Sequence, residues 1–245
     1  MDYKPIYYPE TTFGGFSDID GTIVFYTRVN ALIKKSSIIL DIGCSHGTHI
    51  DEPIKYKKEL RTFKGKCAKV IGIDVDESAR ENPFIDEFHL LVDEHWPLPD
   101  DSIDLAICDA VIEHVSNPDS FFSECKRVIR PNGYLCIRTG NVLGYAAMLA
   151  RIIPDVFHSA VLKKAQDKRK GADIFPTLYR CNTIWKMRRM LNQYGFDNYT
   201  YGYEAEPSYF SFSRFFYWLG VIHQRFSPGI FKLGIFAFAK KKSEE

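Results

Sequence analysis

Short apolar runs recur along residues 37–140, separated by amphipathic or polar stretches: SIILDIG, KVIGID, FHLLV, IDLAICDA and GYLCIRTG. Each is a few residues long, rich in Ile, Leu or Val, and lacks the regular polar alternation of a strand that faces water on one side. Such strands need cover on both faces. Helices that connect parallel strands supply it, so the alternation predicts an α/β fold of stacked βα units. SNPDSFFSECKRVIRPNG is the clearest intervening helix. Asn117 or Ser116 can cap it and Pro118 suits its first turn, while Phe121, Phe122, Cys125, Val128 and Ile129 make one apolar face. Pro131, Asn132 and Gly133 end it.

Beyond residue 140 the alternation is lost until NTIWKMRRMLNQYGF, a second helix expected to be capped by Asn182 and stopped by Gly195. Residues 141–181 read as an insertion over the carboxyl edge of the sheet, and their basic cluster KKAQDKRKG as a solvated loop face or a contact for an anionic substrate or lipid headgroup. Residues 210–226 read as a helix whose aromatic and aliphatic side chains cover most of its circumference. One core-facing stripe cannot bury them all, so the cover is the protein's own sheet, a second copy of the chain, or a membrane surface. At 245 residues the chain is expected to be a single domain, with residues 1–30 as an N-terminal cap, 141–181 as a substrate-side insertion and 204–230 as an aromatic helical insertion.

Charge narrows the partners. Lys and Arg (32) nearly cancel Asp and Glu (31), so no overall field recruits nucleic acid, and none is expected as a partner. The six cysteines include no CxxC pair and fall mostly within apolar runs, which predicts reduced thiols and a cytoplasmic protein. MDYKPIYYPE lacks the pattern of a secretory signal, and no segment offers the roughly 18 apolar residues of a membrane span. Peripheral contact with a membrane stays open.

The stretch SIILDIGCSHGTHI sets an Asp and two glycines at the end of the first run, an arrangement that offers backbone N–H groups to a ligand. A dinucleotide fingerprint needs G-x-G-x-x-G, but Ser45 occupies the middle position, and no Gly-Lys-Ser/Thr follows as in a phosphate-binding P-loop. The second run ends in GIDVDESA, where an acidic residue can accept both hydroxyls of a ribose. Asp74 follows Gly43 by 31 residues, further than the roughly 20 of dinucleotide binders, which favours a nucleoside without a pyrophosphate. Asp41 either contacts the ligand or caps the loop locally. Cys44, His46 and His49 lack a fourth ligand and a paired cysteine, so no metal is expected.

These residues carry a resemblance. ILDIGCSHG, VIGIDVDESA, LPDDSIDLAICDAVIEHV and FFSECKRVIRPNGYLCI stand in the order and spacing of the motifs of class I S-adenosylmethionine-dependent methyltransferases, of the broad group that contains the ubiquinone-biosynthesis methyltransferases. The match spans roughly residues 30–140, and its departure is Ser45, where the family more often has Gly. The resemblance implies a Rossmann-like doubly wound sheet, mostly parallel, with IFKLGIFAFAKK as an antiparallel last strand hairpinned with FDNYTYGY. It implies S-adenosyl-L-methionine as cofactor. Gly43 and Gly47, with Asp41, Cys44 and Ser45 alongside, would line its methionine end. Asp74 and the adjoining Val75 would hold the ribose, Asp93 with its neighbour Glu94 the adenine amine, and Cys108, Asp109 and Ala110 would face the amino-acid moiety.

Methyl transfer from a sulfonium depends mainly on holding donor and acceptor in line, and a hydroxyl acceptor also needs a base. AVIEHV places Glu113 and His114 just beyond the fourth strand, and His114 is the candidate base, its alternative being a packing role in the turn. Asn141, His158, Tyr179 and Arg180 are candidate substrate contacts, Arg180 suiting a phosphate or carboxylate. The resulting expectation is O-methylation of a small-molecule hydroxyl on a sugar, polyketide-like or lipid-linked acceptor. The competing readings are a nicotinamide dehydrogenase, a non-catalytic partner subunit of the same fold, and a nucleic-acid or protein methyltransferase.

Overall fold

A computed structural model of the chain describes residues 2–152 and 176–243. The expectations for His158 and for KKAQDKRKG lie outside these residues.

The apolar runs form strands β1 (Ile38–Ile42), β2 (Lys69–Asp74), β3 (Glu87–Leu90), β4 (Ile103–Asp109) and β5 (Ile129–Gly140), joined by β6 (Phe196–Tyr203) and β7 (Gly234–Lys241) into one sheet of order β3-β2-β1-β4-β5-β7-β6. The first five pair in parallel, and β7 runs antiparallel to both β5 and β6. This is the expected doubly wound sheet with its antiparallel last strand.

Alternate residues of each strand point to opposite faces, and two cores result. Ile39, Val70, Leu105 and Ile107 pack on helix α1 (Gly21–Leu32) through Phe25, Tyr26 and Val29. Helix α2 (Lys55–Arg61) joins this face through Leu60. Leu40, Ile73, Ala106 and Cys108 face the other way, toward helix α3 (Pro118–Val128) and helix α5 (Ile184–Gln193). Helix α4 (Tyr145–Ile152) and helix α6 (Arg214–Phe226) stand after β5 and β6.

Local chemistry explains the boundaries. Asp20 caps α1 by accepting from the N–H groups of Thr22 and Ile23, so residues 21–30 belong to a helix of the sheet layers, and the described residues before it form short turns at Lys4–Tyr7 and Pro9–Thr12. Asn117 caps α3, and Phe121, Phe122, Cys125 and Val128 are buried as its apolar face. Ile129 already belongs to β5. Pro131–Gly133 interrupts the ladder rather than preceding it: Ile103 pairs with Ile129 and Leu105 with Tyr134, so the intervening residues form a bulge, with Asn132 at φ +66. Thr183, not Asn182, caps α5, because the Asn182 side chain is buried and reaches back to β5. The chain leaves α5 through Gly195 at φ +80. All six cysteines are unpaired. No helix among the described residues is long and apolar enough to cross a membrane.

Candidate active site

Strand order reverses between β1 and β4, and the crevice at the carboxyl ends of two such strands is where open α/β sheets bind ligands. A Cβ on Gly43 (φ +69) would lie 2.4 Å from Val111 Cγ2, so glycine lets the exit of β1 run beneath the residue that leaves β4. A Cβ on Gly47 (φ +79) would meet Asn82 Oδ1 at 2.8 Å and Phe84 Cδ2 at 2.9 Å. Both glycines are therefore demanded by the protein's own packing, a constraint the motif alone does not reveal. Between them Ser45 sits at φ +46, in the left-handed region that favours glycine.

The loop is held from β2. The Ser45 N–H donates to Asp74 Oδ2 at 2.9 Å and the Asp76 N–H to Asp74 Oδ1 at 3.0 Å. Asn82 Nδ2 donates to the carbonyls of Cys44 (2.9 Å) and Ser45 (3.1 Å), while its Oδ1 accepts from the Phe84 N–H. Gly43 and Cys44 donate to the Ile73 carbonyl. The N–H groups of Gly43, Cys44 and Ser45 thus go to Ile73 and Asp74 rather than to Asp41 or to a ligand, which corrects both the reading of Asp41 as their cap and the expectation that this part of the loop offers its donors outward. A carboxylate offers about four lone-pair sites, so the buried Asp74, after accepting two backbone bonds, keeps capacity for a pair of ligand hydroxyls. Val75 beside it is exposed, and so is Asp93, which accepts the His95 N–H through one oxygen. Glu94 instead accepts from Asn117 at the start of α3. The Cys44 side chain is buried in the α1-side core, so only its backbone faces the loop.

Beneath the crevice lies a charged cluster. Asp109 accepts from Arg138 Nε at 2.6 Å, from Arg138 Nη2, and from the Tyr26 hydroxyl at 2.8 Å, while Arg138 Nη1 donates to Thr22 Oγ1. Burial alone would raise the Asp109 carboxyl, but the Arg138 guanidinium outweighs it and holds the group below the usual carboxylate range. Among the described residues Asp41 has no partner of that kind. Burial, then the charges of Asp109 and Asp74, push its carboxyl up to about 7, with Arg61 opposing.

Two expectations about the end of β4 change here. Asp109 is committed to Arg138 and Tyr26, and Cys108 points into the opposite core against α3, because neighbouring residues of a strand face opposite ways. Ala110, at φ +58, is exposed and can offer backbone to a ligand.

Glu113 and His114 occupy a 3₁₀ turn after β4. Glu113 is buried. Its Oε2 accepts from Thr139 Oγ1 at 2.6 Å, Thr139 accepts from Asn182 Nδ2 at 2.7 Å, and the Glu113 carbonyl takes the N–H groups of Leu178 and Tyr179. It ties the turn to the returning chain. His114 Nδ1 lies 3.1 Å from the Pro176 carbonyl, which can only accept, so Nδ1 donates there and the ring orientation is fixed by the returning chain.

Asn141 is buried and holds the carbonyls of Ile230 and Lys232 and the N–H of Leu143, so its side chain pins the segment before β7 and is withdrawn as a substrate contact. Tyr179 packs over Gly140, and Arg180 is exposed.

Three groups near this edge were not singled out from the sequence. Arg138 had a signal, a lone charge in an apolar strand. Asn82 had none beyond the turn-forming Asn-Pro pair. The third is Glu204, just past β6, whose Oε1 lies 3.0 Å from His223 Nδ1; the His223 ring stands edge-on to Tyr145 at 5.0 Å. Burial raises the Glu204 carboxyl, with His223 opposing. Among the described residues no group of His, Cys, Asp and Glu could hold a metal ion.

Residues 40–137 match a family described as a methyltransferase domain. A protein of Mycolicibacterium smegmatis named a probable S-adenosylmethionine-dependent methyltransferase is 32% identical over 134 residues, 52% of this chain and 47% of that one. A ubiquinone biosynthesis O-methyltransferase of Agrobacterium fabrum is 30% identical over 103 residues, 42% of this chain and 40% of that one. The chain thus spans under half the length of these relatives. The crystal structure of a protein from Archaeoglobus fulgidus, described as SAM-dependent, superposes with a TM-score of 0.55 and 18% identity, covering 95% of this chain and 97% of that one, and shows the shared fold.

Proposed function

We propose that the chain, whose residues 40–137 match a methyltransferase domain, is a class I S-adenosylmethionine-dependent methyltransferase and methylates a hydroxyl oxygen on a small-molecule acceptor with an apolar or lipid-linked part. The observation that carries this reading is the Asp74 staple: one buried carboxylate fixes the left-handed loop at Ser45 and still offers acceptor sites at the tip of β2. Asp74 and Val75 would hold the ribose, Asp93 the adenine, and the loop from Gly43 to Gly47 would line the amino-acid end. Asp41, half-buried and without an ion-pair partner among the described residues, would meet the cofactor's ammonium. When bound, S-adenosylmethionine supplies a methyl group activated by a sulfonium.

The chain's own contribution is position and proton removal. The Pro176 carbonyl orients the imidazole of His114, and His114 would be the base that takes the acceptor's hydroxyl proton. Glu113, through Thr139 and Asn182, keeps that turn against the end of β5 and is a positioning residue. The oxygen specificity of the ubiquinone-biosynthesis relative, by its name, supports a hydroxyl acceptor.

Equilibrium dialysis with S-adenosylmethionine and S-adenosylhomocysteine tests the cofactor, and no uptake of either defeats the proposal. Incubation of labelled cofactor with cell extracts, followed by mass spectrometry, identifies the acceptor. On that acceptor His114→Gln is expected to lower turnover by about 100-fold with cofactor affinity unchanged, and unchanged turnover removes His114 as the base.

A further inference from the structure

Helix α6 has two apolar faces. Tyr217, Gly220 and Val221 share one side and are buried, with Tyr217 stacked on Tyr7 of the N-terminal turn at 5.5 Å between ring centres. On the other side Phe215, Leu219, Ile222 and Phe226 follow helical spacing, and Phe216 and Trp218 widen the stripe. All six are exposed, Phe215 at 61% and Phe226 at 78%. Neighbouring large apolar side chains in this number mark a surface that something covers.

Charge and position identify the cover. From residue 207 to 243 the sequence has no Asp or Glu, and Arg214 and Arg225, eleven residues and about three turns apart, border the exposed stripe on one side. Both are exposed, and their long stems can lie along an apolar layer while the guanidinium groups meet anionic headgroups. A two-fold contact with a second copy would instead gather these arginines from both chains around one patch, without an acidic residue on α6 to oppose them. The helix also stands between β6 and β7, whose ends at Tyr203 and Gly234 align with Gly140, the carboxyl end of β5. The aromatic stripe therefore belongs to the sheet edge that carries the glycine loop and His114.

We infer that α6 lies flat in the headgroup–acyl boundary of an anionic phospholipid surface and turns the carboxyl edge of the sheet toward the bilayer. The inference is independent of the methyl-transfer reading, since none of its residues is assigned to cofactor or proton transfer.

Flotation of the full chain with vesicles tests it. The chain is expected to float with phosphatidylcholine vesicles containing phosphatidylglycerol, less with phosphatidylcholine alone, and less as salt rises. Phe215→Ser combined with Phe226→Ser is expected to weaken partitioning on the order of 100-fold, and Arg214→Gln about fivefold. Because these side chains are exposed, melting temperatures are expected to stay unchanged, which separates lost binding from lost folding. Trp185→Ser, exposed on α5, serves as a control that leaves flotation intact. A native chain that does not float with the anionic vesicles overturns the inference, as does flotation that survives the double substitution. Sedimentation without lipid that shows a dimer dissociated by the double substitution, with no flotation, assigns the stripe to a second copy and overturns it equally. Cofactor dialysis on the same samples reports separately on methyl transfer.

Discussion

Around β1 and β2, three polar side chains near the carboxyl edge are committed within the protein, Asp74 to two backbone N–H groups, Asn82 to two loop carbonyls and Asp109 to Arg138 and Tyr26, while Asp41 and the buried His49 Nε2 stand apart from them. Around β5, β6 and β7 the same edge looks different. Tyr145 Oη and Glu204 Oε2 are buried with no hydrogen-bond partner among the described residues, and α6 displays its aromatic stripe to solvent. The first region is organised before any ligand arrives, as suits a cofactor of fixed shape. The second keeps unspent polar and apolar surface, as suits an acceptor or a membrane that completes it. The family match ends at residue 137, where one region gives way to the other.

The largest expected effect tests the committed side. Asp74→Ala removes two charge-assisted hydrogen bonds from the loop together with the ribose acceptor, and is expected to weaken S-adenosylmethionine binding by about 100-fold or more in calorimetry, with Lys126→Ala as an unaffected control. If affinity is unchanged, the organisation of this side is unrelated to a cofactor. Asn82→Ala strands the carbonyls of Cys44 and Ser45 and is expected to cost roughly 1–3 kcal/mol of stability in urea unfolding.

Asp41 gives a pH-dependent contrast within the same side. Its folded-state carboxyl titrates near 7 against an ordinary value of 3.8, so the folded chain holds the proton more tightly and stability falls as pH rises from about 4 to 7. Asp41→Asn is accordingly expected to stabilise the ligand-free protein at pH 7 by roughly 1–3 kcal/mol and to leave it unchanged at pH 4. Thermal unfolding at the two pH values measures this, and equal shifts at both would show that burial of the charge is not the cause. The smallest effect belongs to the other side: Phe226→Ser is expected to change stability by less than about 0.5 kcal/mol, because the ring is already in water. A larger loss would show that the stripe is covered in the free protein.

Much of the first side could be read before any coordinates. Apolar runs without alternation gave β1 to β5, and the acidic residue at the tip of β2 marked Asp74, because both follow from local periodicity and from where parallel strands end. Cys108 and Asp109 were placed together by adjacency, whereas the pleat sends them to opposite faces. Asn141 and Asn182 looked like a substrate group and a helix cap. Both are instead buried ties between segments far apart in sequence, and no local pattern encodes such a partner.

The sequence by itself determined the layer architecture, the glycine loop with its acidic neighbour, and a helix too apolar to bury on one side, since each depends on composition and spacing within a few turns of chain. Only the tertiary structure decided which side of that helix stays in water, that Val111, Asn82 and Phe84 require the two glycines, and that Asp41 is desolvated without a paired cation among the described residues while Asp109 is paired with Arg138. These depend on which distant surfaces meet, and desolvation and close packing act on that meeting rather than on sequence neighbours.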